Sequence, residues 1–436
     1  MLANSRSSSS QDRFNRSLWF RSYDSYFSYF LPLIYFVVHY YLNARNGDFA
    51  VSHPLVLGHE AGGIVTAVGH GVNNFKIGDR VAIEAGIYCR NCNFCDKGRY
   101  NLCKEMKFCS SASVYPHVDG TLQTKMNHPA HVLHQYVSIF SLLSVMEPES
   151  MPFSLPDSCS FDQASLAEPL SVVIHASRRC GLAPSQTVLV YGVGAIGLLA
   201  CALAKHSGAS RVCAIDINPV RLEFAMKHGF ADAVYCLPSP SVTSAKSNGV
   251  SINGISKCPA IVHPAFSDDQ IKRSKDAATA ALAAFDSKDG FDVVFECTGA
   301  ESPIQMCIFV SILRSIILSS VPSTVHSPKR TYLQQTATTG GRVMLIGMGT
   351  RVAQLPLSTA ALREVDILGS FRYADTYPEA LSLLAAPSSK LRTMVGKLVT
   401  HRFGLSDTKK AFEMLAKGVD ENGDLVLKIM VGPGAP

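Results

Sequence analysis

The stretch from Thr187 to Asp216 limits the fold more than any other part of the chain. It reads "TVLVYG", then "AIGLLACALAKHSG", then "SRVCAID". The first and last are short continuous apolar runs, the signature of strands buried on both faces. The middle run is too long for a strand and opens directly after glycines, so it reads as a helix. Three further runs, "FDVVFECTG", "GRVMLIGMG" and "VDILGS", read as buried strands. Apolar strands alternating with helices predict an α/β architecture with a doubly wound parallel sheet.

The turn itself, "YGVGAIGLL", places Gly192, Gly194 and Gly197 in a G-x-G-x-x-G pattern. Alone the pattern is weak. Here it follows a strand, opens a helix and precedes Asp216 at the end of the next strand, which is the context of a dinucleotide site. The glycines admit a pyrophosphate to the helix N-terminus. Asp216 would accept from the adenosine ribose hydroxyls and repel a 2′-phosphate, which favours NAD over NADP. A glycine-rich turn with no ligand is the bland alternative.

A different module precedes it. From Pro54 to Val81, "LVLGHEAGGIVTAVGHGVNNFKIGDRVAI" consists of short β-prone runs broken by glycine, an all-β, barrel-like pattern. The tail, "DTKKAFEMLAKG" and "DLVLKIMV", reads as a helix and a strand that return to this first module.

The chain has 13 cysteines, four of them in "CRNCNFCDKGRYNLC": Cys89, Cys92, Cys95 and Cys103, spaced C-x2-C-x2-C-x7-C. Four soft thiolates at that spacing make a closed tetrahedral zinc site, whose role is to pin a loop. An iron–sulfur cluster is the other thiolate option. The remaining cysteines are scattered among apolar residues, which argues for a reducing, cytoplasmic compartment over a disulfide framework. "LGHEAGG" adds His59 and Glu60. As an isolated pair they would be a turn histidine and an exposed carboxylate. Beside a dinucleotide fold and a zinc loop they read as part of a catalytic metal site.

At 436 residues, 47% hydrophobic and 17% charged, the chain suits two domains with large interiors. Its net charge of +6 is spread without a basic run, so no nucleic-acid footprint is visible. The N-terminus is polar and Ser/Arg-rich, the composition of a disordered segment, with weak transit-peptide character. The apolar run after it contains Ser28, Pro32 and His39 and falls short of the roughly 20 apolar residues of a spanning helix.

Together "HPLVLGHEAGGIVTAVG", the four-cysteine loop, "AEPLSVVIHA", the glycine turn and "GSFRYADTYPEAL" resemble the zinc-dependent medium-chain dehydrogenases, in particular the polyol group of sorbitol, xylitol and arabinitol dehydrogenases. The resemblance runs from about His39 to Gly432. It implies a GroES-like β-rich catalytic domain interrupted by a Rossmann domain, with the active site in the cleft between them. It also implies zinc and NAD as cofactors, a polyol oxidised to a ketose, and a homo-oligomer, dimer or tetramer. The family's zinc pair falls on His59 and Glu60, and the Glu of its "EPL" motif on Glu168. NAD contacts are implied at Ile196, Asp216, Arg221, Ile346, Gly347, Met348 and Phe371. Substrate contacts are implied at Tyr40, Arg372 and Tyr373. Ile196 and Ile346 as ordinary core, and Tyr40 as ordinary packing, are the alternatives.

The chain departs from the family at one ligand. The pattern C-G-S-D-x-H-Y aligns on His39, which puts Ile34 where the zinc-binding cysteine belongs and Phe36 at the proton-relay serine. The segments 135–154 and 310–335 read as insertions. They share the tripeptide Val137-Ser138-Ile139 and Val310-Ser311-Ile312, a Val-Ser that can be translated from a 5′ splice site. They are therefore expected to be intron read-through, and residues 1–38 a disordered or mispredicted start. The loop 238–268 reads as a third insertion. The expected domains are 39–175 (catalytic), 176–375 (NAD-binding) and 376–436 (return to the catalytic domain). Two functions remain besides the polyol dehydrogenase. One is a catalytically impaired NAD-binding protein with structural zinc only; the other is a membrane-anchored variant using Phe27 to Leu42.

Overall fold

The computed structural model describes residues 25–30, 53–113, 115–135, 159–238, 268–311, 340–349 and 352–432. The chain divides into two compact units, Met1–His175 with Phe371–Pro436, and Ala176–Ser370.

The second unit holds a six-stranded parallel sheet. In spatial order its strands are Ala233–Cys236, Arg211–Asp216, Thr187–Tyr191, Val293–Glu296, Arg342–Leu345 and Asp366–Gly369. In sequence terms the order is 3-2-1-4-5-6, that of a doubly wound dinucleotide-binding fold. Every apolar run read as a strand in this region lies in the sheet. Thr187–Tyr191 pairs with Arg211–Asp216 on one side and Val293–Glu296 on the other. Such central strands have two covered faces, which is why their sequences do not alternate. Leu189, Tyr191, Phe291, Val294 and Val343 are buried in one core with Met306 and Ile308 of the helix Glu301–Val310.

Local chemistry sets the helix starts. The helix Pro219–Lys227 begins with proline in its first turn, and the Asn218 side chain accepts from the amides of Val220 and Arg221. The helix Ala195–His206 begins at the glycine turn. A Cβ on Gly197 would lie 1.8 Å from the Gly192 carbonyl oxygen, so no larger residue fits this helix against its own turn.

The first unit contains a five-stranded antiparallel sheet in the order Asn127–His128, Ser25–Phe30, Ala61–Val68, Arg80–Ile83, Leu133–His134. Ser25–Phe30 lies inside the segment 1–38 and is strand, paired with Ala61–Val68. The C-terminal helix Thr408–Lys417 and strand Lys428–Val431 belong to this unit. Phe412, Leu415, Ile429 and Val431 share a core with Leu57 and Leu122.

Among the described residues, no helix is long and apolar enough to cross a membrane. Val310 and Ser311, the first two residues of the segment 310–335, are buried, Val310 as the last helical residue and Ser311 bridged to Phe291. The remainder of that segment lies outside the described residues, as do 136–154 and 239–267 of the other two.

Candidate functional site

His59 and Glu60 stand at the entrance of the strand Ala61–Val68. Gly58 before them has φ +100°, and a Cβ there would meet Thr121 Oγ1 at 2.8 Å, so the bend that aims His59 requires glycine. Glu168 comes from the helix Phe161–Arg179, one position before Pro169, which lies within that helix. Proline has no amide to donate, so one carbonyl of the preceding turn is freed. His59, Glu60 and Glu168 are all buried, and one ligand atom of each lies within 4.8 Å of the others. Nitrogen and carboxylate ligands at 2.0–2.2 Å from a zinc ion would be about 3.4 Å apart. The three fit a metal with little rearrangement.

Electrostatics suit a cation. His59 Nδ1 lies 3.5 Å from Glu168 Oε1. Burial disfavours a charged His59 ring, but Glu168 and then Glu60 outweigh it, and its pKa is raised above 6.5. Glu60 is also met by Lys428, whose Nζ donates to Oε2 at 2.7 Å and Oε1 at 3.1 Å. Both side chains are wholly buried. Burial raises the Glu60 carboxyl and lowers the Lys428 ammonium, each opposed by attraction to the other.

A wall of aromatic and cationic groups adjoins this cluster. The Phe108 ring lies 5.5 Å from His59, and the Arg372 guanidinium stacks over it at 4.0 Å. Arg372 also covers the Phe371 ring at 4.7 Å, and its backbone is left-handed at φ +52°. A non-glycine residue held there is strained, and such strain gathers at functional sites. Tyr373 is buried, 5.5 Å from the Tyr377 ring.

The four-cysteine loop contains the short helix Asn93–Asp96, which carries Cys95, and the turn Tyr100–Leu102, which ends at Cys103. Its sulfurs are close: Cys103 to Cys89 3.5 Å, Cys92 to Cys95 3.6 Å, Cys89 to Cys95 3.9 Å. Four thiolates around one zinc at 2.3 Å stand about 3.8 Å apart. The cage therefore has the size of a tetrahedral zinc site. A backbone hydrogen bond at Cys95 lowers the Cys92 thiol to about 7, while burial raises Cys95 to about 12.

In the second unit the residues read as NAD contacts share the C-terminal end of the parallel sheet. Asp216 Oδ2 accepts from the Val193 amide and Oδ1 from the Asn218 amide, both at 2.8 Å. The carboxylate is fixed against the glycine turn, with lone pairs left for a ligand. Ile196 and Ile346 are half-buried, and Met348 is exposed. The Ile346 and Gly347 amides donate to the Glu296 carbonyl at 2.9 and 3.0 Å, which holds that loop at the end of its strand. Arg221 lies on the first turn of the helix Pro219–Lys227. Phe371, read with this group, falls in the first unit.

Residues 37–138 match the alcohol dehydrogenase GroES-like domain family. Over 396 residues the chain is 35% identical to sorbitol dehydrogenase of Macaca fascicularis, covering 90% of this chain and 84% of that protein. The chain belongs to the zinc-dependent medium-chain dehydrogenases, in their polyol group. It is also 33% identical to L-idonate 5-dehydrogenase of Vitis vinifera, covering 87% of this chain and 81% of that one. The fold matches the solved alcohol dehydrogenase TADH from Thermus sp. ATN1 with a TM-score of 0.66 at 20% identity, covering 96% and 94% of the two chains.

For a polyol-group dehydrogenase, the motifs marked most of what the site gathers, but two residues escaped them. Phe108, the wall between His59 and Arg372, carries no motif. Lys428 left a signal: it is the one charged residue in the apolar run "LVLKIMV", where burial demands a partner. Ile34 and Tyr40 lie outside the described residues.

Proposed function

We propose that this chain oxidises a secondary hydroxyl of a polyol of the sorbitol or xylitol type to the ketose, using zinc and NAD. The observation that carries this reading is the convergence of His59, Glu60 and Glu168 beside the Phe108–Arg372 wall.

His59, Glu60 and Glu168 would hold the zinc, which when bound supplies a Lewis acid that makes a hydroxyl easier to ionise. Glu168, whose Oε1 lies 3.5 Å from His59 Nδ1, would offer a carboxylate to the departing proton or a bridging water. Arg372 presents a planar fork of donors to polyol hydroxyls, held flat by Phe108. Tyr373 follows it in sequence, and Tyr40, outside the described residues, would contact the polyol. Gly192, Gly194, Ile196, Gly197, Asp216, Arg221, Ile346, Gly347, Met348 and Phe371 would hold NAD, which supplies the hydride acceptor. Cys89, Cys92, Cys95 and Cys103 would hold the structural zinc. All twelve described cysteines are free thiols, which supports a cytoplasmic setting. Family resemblance supports a dimer or tetramer.

The relatives bear dehydrogenase names, and none supports the reading as an impaired NAD-binding protein. Zinc per chain and NADH formation with sorbitol, xylitol and L-idonate test the proposal. Two zinc ions with NADH formation are expected. One zinc ion without turnover on any of the three would overturn it and restore the impaired form.

A further inference from the structure

The segment from Phe371 to Asp375 carries Arg372 to the Phe108 ring, where the guanidinium lies 4.0 Å from the centroid. It belongs to no helix or strand, so no regular ladder of hydrogen bonds holds it. Its backbone is also strained. Arg372 and Asp375 have left-handed φ angles of +52° and +53°, and neither is glycine. Such conformations persist only where the surroundings fix them.

The fixing groups come from the cysteine loop. Asn101 Nδ2 donates to the Phe371 carbonyl at 2.9 Å, and the Tyr100 hydroxyl accepts from the Asp375 amide at 2.9 Å. Two adjacent residues thus grip the first and the last residue of the segment. Gly98 approaches it as well: its φ is +66°, and a Cβ there would lie 3.3 Å from Asp375 Oδ2. Tyr100 and Asn101 are buried, so water does not readily take over their hydrogen bonds. The loop holds them in turn. The Tyr100 ring stacks on Tyr88, 4.1 Å away and one residue before Cys89, and the Tyr100 carbonyl accepts from the Cys103 amide at 2.9 Å. All of these residues lie in the first unit. Pinning the loop needs only its thiolates, so the outward grip on 371–375 serves something else.

We propose that Tyr100 and Asn101 are positioning residues for substrate: they clamp the two ends of the segment 371–375 and so aim the Arg372 guanidinium. The cysteine loop is thereby part of what sets polyol affinity, without touching the polyol. This rests on reading Arg372 as a donor to polyol hydroxyls. Losing one clamp leaves the loop closed and lets the strained segment relax, which moves the fork of donors off its place above Phe108.

The test is steady-state kinetics on the full chain with sorbitol, xylitol and L-idonate, beside zinc content and a melting curve. Tyr100→Phe keeps the stack on Tyr88 and removes the acceptor of the Asp375 amide. Asn101→Leu keeps the volume and removes the donor to Phe371. One net hydrogen bond corresponds to about fivefold, so each variant should raise the KM for polyol by about that factor. The kcat, the KM for NAD and the zinc content should stay at wild-type values, since a KM rise alone marks binding lost equally in ground and transition states. In an Arg372→Lys background, Tyr100→Phe should raise the KM for polyol less than about twofold further, because the group it aims is gone. A lower melting temperature with an unchanged KM for polyol in both variants overturns the proposal and makes the clamp purely structural. So do equal rises in the KM for polyol and for NAD, full additivity with Arg372→Lys, or failure of both variants to fold. A wild type that forms no NADH with any of the three substrates sinks this inference and the proposed function together. Wild-type turnover with no effect of either variant sinks only this inference.

Discussion

The Val193 amide donates to Asp216 Oδ2 at 2.8 Å, joining the glycine turn to the end of the neighbouring strand. The carboxylate thus shapes the turn before any ribose reaches it.

Asp216→Ala should therefore weaken NAD binding through both roles. A hydrogen bond to a charged group contributes about 1.5–3 kcal/mol, so the KM for NAD should rise about tenfold to a hundredfold. Discrimination against NADP should narrow, because the repelling charge is gone. Steady-state kinetics with both cofactors check this. An unchanged KM for NAD would show that Asp216 only braces the turn.

Cys92→Ser should remove the structural zinc. Three remaining thiolates do not close a tetrahedral site, and metal-binding energy in such loops is folding energy. Zinc content should fall by one per chain. A loss on the order of 2 kcal/mol would lower the thermal midpoint by about 4–8 °C. Metal analysis and a melting curve decide it; a variant that keeps its zinc would refute the four-thiolate cage.

Arg372→Lys should not behave as a conservative change. Arg372 stacks its guanidinium on Phe108 at 4.0 Å, and an ammonium has no plane to stack and no fork of donors. The expected outcome is a KM for polyol raised about tenfold, equivalent to about 1.4 kcal/mol, with the KM for NAD unchanged. Equal losses toward both would place Arg372 in general packing instead.

How far the sequence shows this protein depends on whether its chemistry repeats at short spacing. The Cys89–Cys103 loop, the Gly192–Gly197 turn and the His59–Glu60 pair are each local, and each has a physical reason to keep its spacing. The buried strands announced themselves because both of their faces are covered. The partner of Lys428 was not legible: the lysine in an apolar strand signalled a buried anion, but Glu60 lies 368 positions away. Phe108 was invisible for another reason. A lone aromatic between Lys107 and Cys109 has no period and no fixed partner in sequence. The antiparallel pairing of Gly86–Ile87 with Lys107–Phe108 fixes its strand, and its ring lies 5.5 Å from that of His59.

His128 makes the last prediction, on acid stability. Its ring is fully buried, with Nε2 2.9 Å from the Glu84 carbonyl. Among the described residues, Nδ1 has no hydrogen-bond partner. Burial lowers its pKa from 6.5 to about 4, because a protonated ring would bury a charge with one N–H unsatisfied. The unfolded chain then binds a proton between about pH 6.5 and 4 that the folded chain does not. More protons in the unfolded state mean that stability rises with pH, so the contribution is complete above pH 6.5 and lost as pH falls toward 4. One proton corresponds to a slope of about 1.4 kcal/mol per pH unit. His128→Gln keeps a polar group for the Glu84 carbonyl and removes the titration. Its urea midpoints should decline less steeply than those of the wild type across that window, whatever its stability at pH 7.5. Parallel declines in the two proteins would mean that His128 is not what acid attacks first.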